Sequence, residues 1–226
     1  MKKVYVSPST QQNNVGIAPF TTEEKEMNAI ADLLIPLLLK DGRFEVRRNS
    51  PSMDDVYSIA TDSNNWGADI HIALHSNAGG GEGTEVYSYS IGSNSERLAK
   101  ALYEQIAPLS PGKDRGIKYK RGLIEVGDSV KATSILIELA FHDNTKDATW
   151  MAYNHEMIAQ RLYKGICNYY GYGYKALDVT PTVAPSTPVS VDKDGYLMVR
   201  VLDSKAGDVR SQIRAMGYAC EPIKLP

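Results

Sequence analysis

Two stretches of this sequence are apolar almost without a break: Ala68-Asp69-Ile70-His71-Ile72-Ala73-Leu74-His75 and Ser134-Ile135-Leu136-Ile137-Glu138-Leu139-Ala140. A strand with one wet side alternates apolar and polar residues. These stretches do not alternate, so both must be covered on two faces. The segments around them carry helical spacing instead, with Met27, Ile30, Leu34, Leu37 and Leu38 on one face, then Leu98, Leu102 and Ile106, then Ile158, Leu162 and Ile166. Doubly covered strands that alternate with helices specify an α/β fold with a mostly parallel sheet and helices on both faces.

Further elements fill in that frame. Residues 4–6 read as a first strand stopped by Ser7-Pro8-Ser9, and residues 44–47 and 85–90 as two more. A helix starts at Thr21 or Thr22, with Thr21 and Glu24 spaced as a capping box and Pro36 placed to kink its end. Helices are also expected over 53–65, 95–109 and 150–170. After Tyr174 the composition changes to Thr180-Pro181-Thr182-Val183-Ala184-Pro185-Ser186-Thr187-Pro188, the makeup of an extended linker. The expected division is a main domain over 1–175, a linker over 176–192 and a small strand–helix–strand unit over 193–226. A unit of about 34 residues cannot bury an adequate core alone. It is expected to dock on the main domain, on a second copy of the chain as a homo-oligomer, or on an external surface.

Composition narrows the function classes. Of the 226 residues 42% are hydrophobic and 23% charged, as in an ordinary globular protein, and the net charge of −2 argues against nucleic acid as a partner. The apolar run 30–39 spans about ten residues and contains Asp32 and Pro36, too short and too broken to cross a membrane. Met1-Lys2-Lys3-Val4-Tyr5-Val6 lacks the apolar core of a signal peptide, so synthesis and initial residence in the cytoplasm are expected. Cys167 and Cys220 lie far apart, without metal-ligand spacing, and read as small buried residues.

Chemistry concentrates at strand ends. His75 closes a buried strand where parallel α/β proteins place their sites, and neutral imidazole is a good zinc ligand there. Glu138 is a carboxylate inside an apolar strand, which is costly unless it is paired, protonated or near a metal. On a helical wheel Glu23 falls nearer the centre of the apolar arc of its helix than Glu24 does. His71 faces the same side of its strand as His75, but about 13 Å separates them, too far for two ligands of one ion. His155, among polar residues, reads as exposed.

Four segments in order resemble the zinc-dependent N-acetylmuramoyl-L-alanine amidases of the type 3 family: Glu24-Lys25-Glu26-Met27-Asn28, Leu74-His75-Ser76-Asn77-Ala78, Arg115-Gly116-Ile117-Lys118, and Leu136-Ile137-Glu138-Leu139-Ala140-Phe141-His142-Asp143-Asn144. The resemblance spans roughly residues 1–173 and implies that Glu24 and His75 are zinc ligands, Glu138 the catalytic acid–base and Asn77 a substrate-binding residue. The motif match favours Glu24 over Glu23. One departure stands out: the family's first-strand histidine is absent, and Val6-Ser7-Pro8-Ser9-Thr10-Gln11 puts Thr10 at its place. Two replacements stay open, Gln11 by position and His142 by ligand chemistry, although a neutral amide oxygen is a poorer zinc donor than imidazole.

The resemblance therefore implies hydrolysis, by zinc-activated water, of the amide joining N-acetylmuramic acid to L-alanine in bacterial peptidoglycan. Together with the linker and small appendage it suggests a phage endolysin that acts on the wall after release, with a bacterial autolysin as the other setting. The rival from another class is a non-catalytic wall-binding protein on an amidase scaffold. A second rival gives residues 193–226 a protein partner rather than the wall.

Overall fold

The computed structural model describes residues 1–177 apart from positions 51 and 54. The chain divides into the units Met1–Thr180 and Pro181–Pro226, so the expected strand–helix–strand unit and Cys220 lie outside the described residues. The first unit is a mixed α/β fold. Its strands are β1 (Lys2–Pro8), β2 (Phe44–Arg48), β3 (Ile70–Asn77), β4 (Glu85–Ser88), β5 (Ile117–Tyr119) and β6 (Thr133–Phe141). Its helices are α1 (Glu23–Asp41), α2 (Val56–Trp66), α3 (Asn94–Ile106), α4 (Thr145–Tyr153) and α5 (His155–Tyr169).

The six strands form one sheet in the order β2-β1-β3-β6-β4-β5. Every pairing is parallel except β4 with β6, so β4 and β5 run against the other four. The two apolar runs, β3 and β6, are neighbours at the centre, as strands covered on both faces should be. Side-chain alternation sorts their residues. Val4, Val6, Ile70, Ile72, Leu74, Ile135, Ile137 and Leu139 join the main core beneath α1, α3 and α5, which pack on one another. Burial of each such side chain contributes about 1.5–3 kcal/mol. The opposite face is covered differently. Ser63 of α2 meets His71, Asp62 of α2 meets Tyr5, and Val126 of the segment before β6 packs on Ala73 and Leu136. Polar residues are tolerated on that second face because a short helix and a loop, rather than three apolar helices, cover it.

Several local expectations need correction. The N-cap of α1 is Thr22, whose hydroxyl accepts from the backbone of Lys25, and Glu26 rather than Glu24 reaches back to the backbone N–H and hydroxyl of Thr21. One long helix over 150–170 is in fact two, because Asn154 leaves helical geometry between α4 and α5. The helix expected over 53–65 starts only at Val56, where Asp55 caps it. α1 continues through Pro36 and ends at Gly42, whose φ of 81° supplies the left-handed C-cap that other residues rarely adopt. No helix among the described residues is long and apolar enough to cross a membrane.

The end of α1 carries an acid-sensitive clasp. Both carboxylate oxygens of Asp41 are bonded by the guanidinium of Arg43 at 2.5 Å, and Tyr163 on α5 donates to the same group. Arg43 holds the Asp41 carboxyl down at about 2, against the upward push of burial. The folded value lies below the ordinary one of 3.8, so this contribution is present above about pH 4 and is lost as pH falls through about 2. Asp41→Asn is expected to lower stability at neutral pH by roughly 2 kcal/mol. In urea denaturation the gap from wild type should narrow between pH 4 and pH 2; a gap independent of pH would refute the linkage.

Candidate active site

The site forms on the second face, at the carboxyl end of β3. Glu23 opens α1 at its N-terminal turn, where a helix favours negative charge. Its side chain is buried, with Oε1 at 2.8 Å from His75 Nδ1, and it accepts further bonds from the Ser76 backbone and from Asn14 Nδ2. Gln11, in the loop after β1, brings its side-chain amide to 3.3 Å from His75 Nδ1 and 3.5 Å from Glu23 Oε1. Asn14 ties Gln11 and Glu23 together, donating to Oε1 of the first at 2.8 Å and Oε2 of the second at 2.7 Å.

Across the sheet, β3–β6 register sets His75 beside Glu138, and β4–β6 register sets Glu85 on the other side of Glu138. Glu138 is half-buried, and its Oε2 is buried with no hydrogen-bond partner among the described residues. Burial pushes its carboxyl up to about 7; the charges of Glu23 and Glu85 add to the rise, and His75 and Lys118 oppose it. Glu85 behaves in the opposite way. Burial is outweighed by bonds from Lys118 at 2.5 Å and Arg115 at 2.6 Å, which hold its carboxyl down at about 2. Two neighbouring acids thus have separate characters, one permanently ionised and one that exchanges a proton near neutrality. Such a division is what acid–base chemistry needs.

His75 sits among acids. Burial works to lower its affinity for a proton, but the nearby carboxylates of Glu125 and Glu23 prevail and push it up to about 10. A position that holds positive charge so strongly is also one that attracts a metal cation. Among the described residues no three His, Cys, Asp or Glu side chains are grouped to hold a metal, so any ion here would need the amide of Gln11 as a third donor. The spacing is suitable. Donors on one tetrahedral zinc with bonds near 2.1 Å lie about 3.4 Å apart, and the three atoms here are separated by 2.8, 3.3 and 3.5 Å. The Gln11 amide faces this point with its nitrogen, so presenting its oxygen would require the amide to turn over and give up the bond it accepts from Asn14 Nδ2.

The structure places the residues singled out from sequence as follows. His75, Glu138 and Gln11 come together. Glu24 does not join them: it is half-buried and lines a cavity with Thr10, Lys25, Asn28, Arg48 and Asn49, while Glu23 meets His75. The reason is the 100° turn between successive helical residues, which sends neighbours to different sides. His142 is also elsewhere. Its Nδ1 lies 2.9 Å from Ser76 Oγ and its ring stacks on Phe20, so it fastens the loop before α1. Ser76 follows His75 on a strand, and consecutive side chains leave a strand on opposite faces. Asn77 donates to Glu85 Oε1 at 2.9 Å. His71 is fully buried between Ser63 and Glu125. His155 is half-buried rather than exposed, bonded to Glu26 at 2.6 Å, and it joins α5 to α1. Glu125 and Glu85 are functional candidates that the sequence reading passed over. Glu23 had a signal, its place on the apolar arc; Glu125, in an irregular segment, had none.

A family model described as N-acetylmuramoyl-L-alanine amidase matches residues 4–168. N-acetylmuramoyl-L-alanine amidase CwlM of Bacillus licheniformis is 28% identical over 153 residues, which make up 66% of this chain and 60% of that protein. This chain therefore spans less than two thirds of that curated relative. Among solved structures, the catalytic domain of CwlV, an N-acetylmuramoyl-L-alanine amidase from Bacillus (Paenibacillus) polymyxa, superposes with a TM-score of 0.68 at 23% identity, covering 76% of this chain and 100% of that one. The catalytic domain of the CD27L endolysin, which targets Clostridia difficile, gives 0.61 at 24% identity, covering 74% and 98%. At these identities the two structures establish a shared fold.

Proposed function

This chain belongs to the N-acetylmuramoyl-L-alanine amidase family, and on that premise we propose that it hydrolyses the amide between N-acetylmuramic acid and L-alanine in peptidoglycan, with zinc held by Gln11, Glu23 and His75. The observation that carries the reading is Glu138: a half-buried carboxyl beside His75, with Oε2 buried and without a hydrogen-bond partner among the described residues, whose proton is exchangeable near neutral pH. Bound zinc would supply acidification of a water and polarisation of the scissile carbonyl. Glu138 accepts the proton of the attacking water and returns it to the departing alanine nitrogen, the general acid–base role for which its tuning suits it. Water oxygen ends on the lactyl carbon of the sugar, and the C–N bond breaks to free the amino group of alanine. Glu85, clamped by Arg115 and Lys118, stays ionised next to Glu138 and keeps the latter's proton affinity high. Asn77, fixed on Glu85, is placed to contact substrate in that row.

The setting belongs to the same proposal. We assign the protein to phage lysis, as an endolysin made in the cytoplasm and acting on the wall after release; its fold is shared with an endolysin catalytic domain. The zinc assignment rests on donor spacing and on the acidic surroundings of His75.

Purified protein incubated with Gram-positive cell walls should generate new L-alanine amino termini. Exhaustive chelation should abolish the release and added zinc restore it. Release that persists after complete metal removal would overturn the zinc assignment. No release with zinc present, on several wall types, would overturn the amidase reading, and retained wall binding would then identify a non-catalytic binder.

A further inference from the structure

Glu125 comes from the irregular segment between β5 and β6, yet it is 5% exposed and sits between two histidines of β3. Its Oε1 accepts from Ser7 Oγ at 2.5 Å and lies 3.0 Å from His71 Nε2. Its Oε2 lies 3.8 Å from His75 Nε2, an ion-pair contact longer than a hydrogen bond. The two oxygens thus divide their work: one is anchored to β1 and β3, and the other faces the back of the His75 ring. The anchor is itself fixed. His71 Nδ1 lies 3.0 Å from Ser63 Oγ, and its ring stacks on Tyr5 at 5.0 Å with only 9° between planes.

We propose that Glu125 is a positioning residue for His75, holding the imidazole from behind so that Nδ1 presents its lone pair to the point shared with Glu23 and Gln11. The proposal rests on the reading of His75 as a metal ligand. A metal at the shared point would displace the proton from Nδ1, and the Glu125 carboxylate facing Nε2 favours keeping the remaining proton on that nitrogen. The arrangement also gives buried His71 and Ser7 a purpose at the site without contact with substrate. They hold the carboxylate that holds the ligand. A site that relies on a neutral amide as one donor gains the more from a well-oriented imidazole as another.

The test measures zinc affinity by competition with a chromophoric chelator, and the absorption spectrum of the cobalt(II) form, on the full chain. Glu125→Gln is expected to weaken zinc binding roughly 10- to 100-fold, the usual cost of losing such a supporting partner. It should also shift the cobalt bands, while Glu125→Asp recovers part of the affinity. Ser7→Ala, which loosens the carboxylate without removing it, should lose less in the same direction. Wild-type affinity and an unchanged cobalt spectrum in Glu125→Gln would overturn the positioning role. Should Glu125→Gln fail to fold, the same pair of null results in Ser7→Ala would overturn it. Absence of zinc binding by the wild-type chain would instead remove the metal reading, and the positioning role with it, so the two failures are told apart by the unmutated protein.

Discussion

Glu138→Gln should abolish amide hydrolysis and leave the fold at least as stable as before. Glutamine keeps the shape of the side chain and cannot take up the proton of an attacking water. Loss of general acid–base assistance costs roughly 10²- to 10⁴-fold in rate, or about 3–5 kcal/mol of barrier. Stability should move the other way. Glu138 is half-buried, its buried Oε2 has no hydrogen-bond partner among the described residues, and its neighbours Glu23 and Glu85 add negative charge. A neutral amide escapes that repulsion and most of the desolvation cost. The kcat for release of L-alanine amino termini and the Tm of the same preparation check both halves. A variant with activity within threefold of wild type would remove Glu138 from the chemistry. A folded, inactive variant with an unchanged or higher Tm is the expected outcome, and zinc affinity should stay near the wild-type value.

The second large effect distinguishes two adjacent acids. Glu23→Ala should eliminate activity and weaken zinc binding by more than the roughly 100-fold that marks the upper end for a supporting residue. It removes the atom 2.8 Å from His75 Nδ1, leaves the Ser76 backbone without that acceptor and leaves Asn14 Nδ2 with Gln11 alone. Glu24→Ala should stay within about 0.5 kcal/mol of wild-type stability, as surface substitutions usually do, with activity changed by no more than a few-fold. Its side chain lines a separate cavity and makes no bond to the His75 cluster. Equal losses in the two variants would refute this division of roles. A greater loss in Glu24→Ala would reverse it.

The contrast between these acids marks how far local pattern reaches. Nearly continuous apolar runs at 68–75 and 134–140 state that both faces of two strands are covered, and the structure accordingly sets β3 and β6 side by side within a mostly parallel sheet. The same reasoning found His75 and Glu138, because a titratable group in an apolar strand is conspicuous wherever the strand ends up. Helical spacing identified the buried stripe of α1 and put Glu23 near its centre. Motif alignment pointed one residue further on, and a helix converts one residue into a 100° change of direction.

What no local pattern could decide is which residues meet across long stretches of chain. β4 pairs antiparallel with β6, and this reversal sets Glu85 beside Glu138. Gln11 reaches His75 from 64 positions away, and Glu125 reaches His71 from 54 positions away, both out of irregular segments without periodicity. His142 turns to Ser76 rather than to His75, because the chain leaving β6 fastens the loop before α1. By itself the sequence determined the layers, the doubly covered strands and the two candidate site residues embedded in them, since burial of a periodic face is a property of neighbours in the chain. The tertiary structure alone decided that Gln11, Glu23 and Glu125, rather than Glu24 and His142, lie beside His75, since loop closure and strand direction are set by packing of the whole domain.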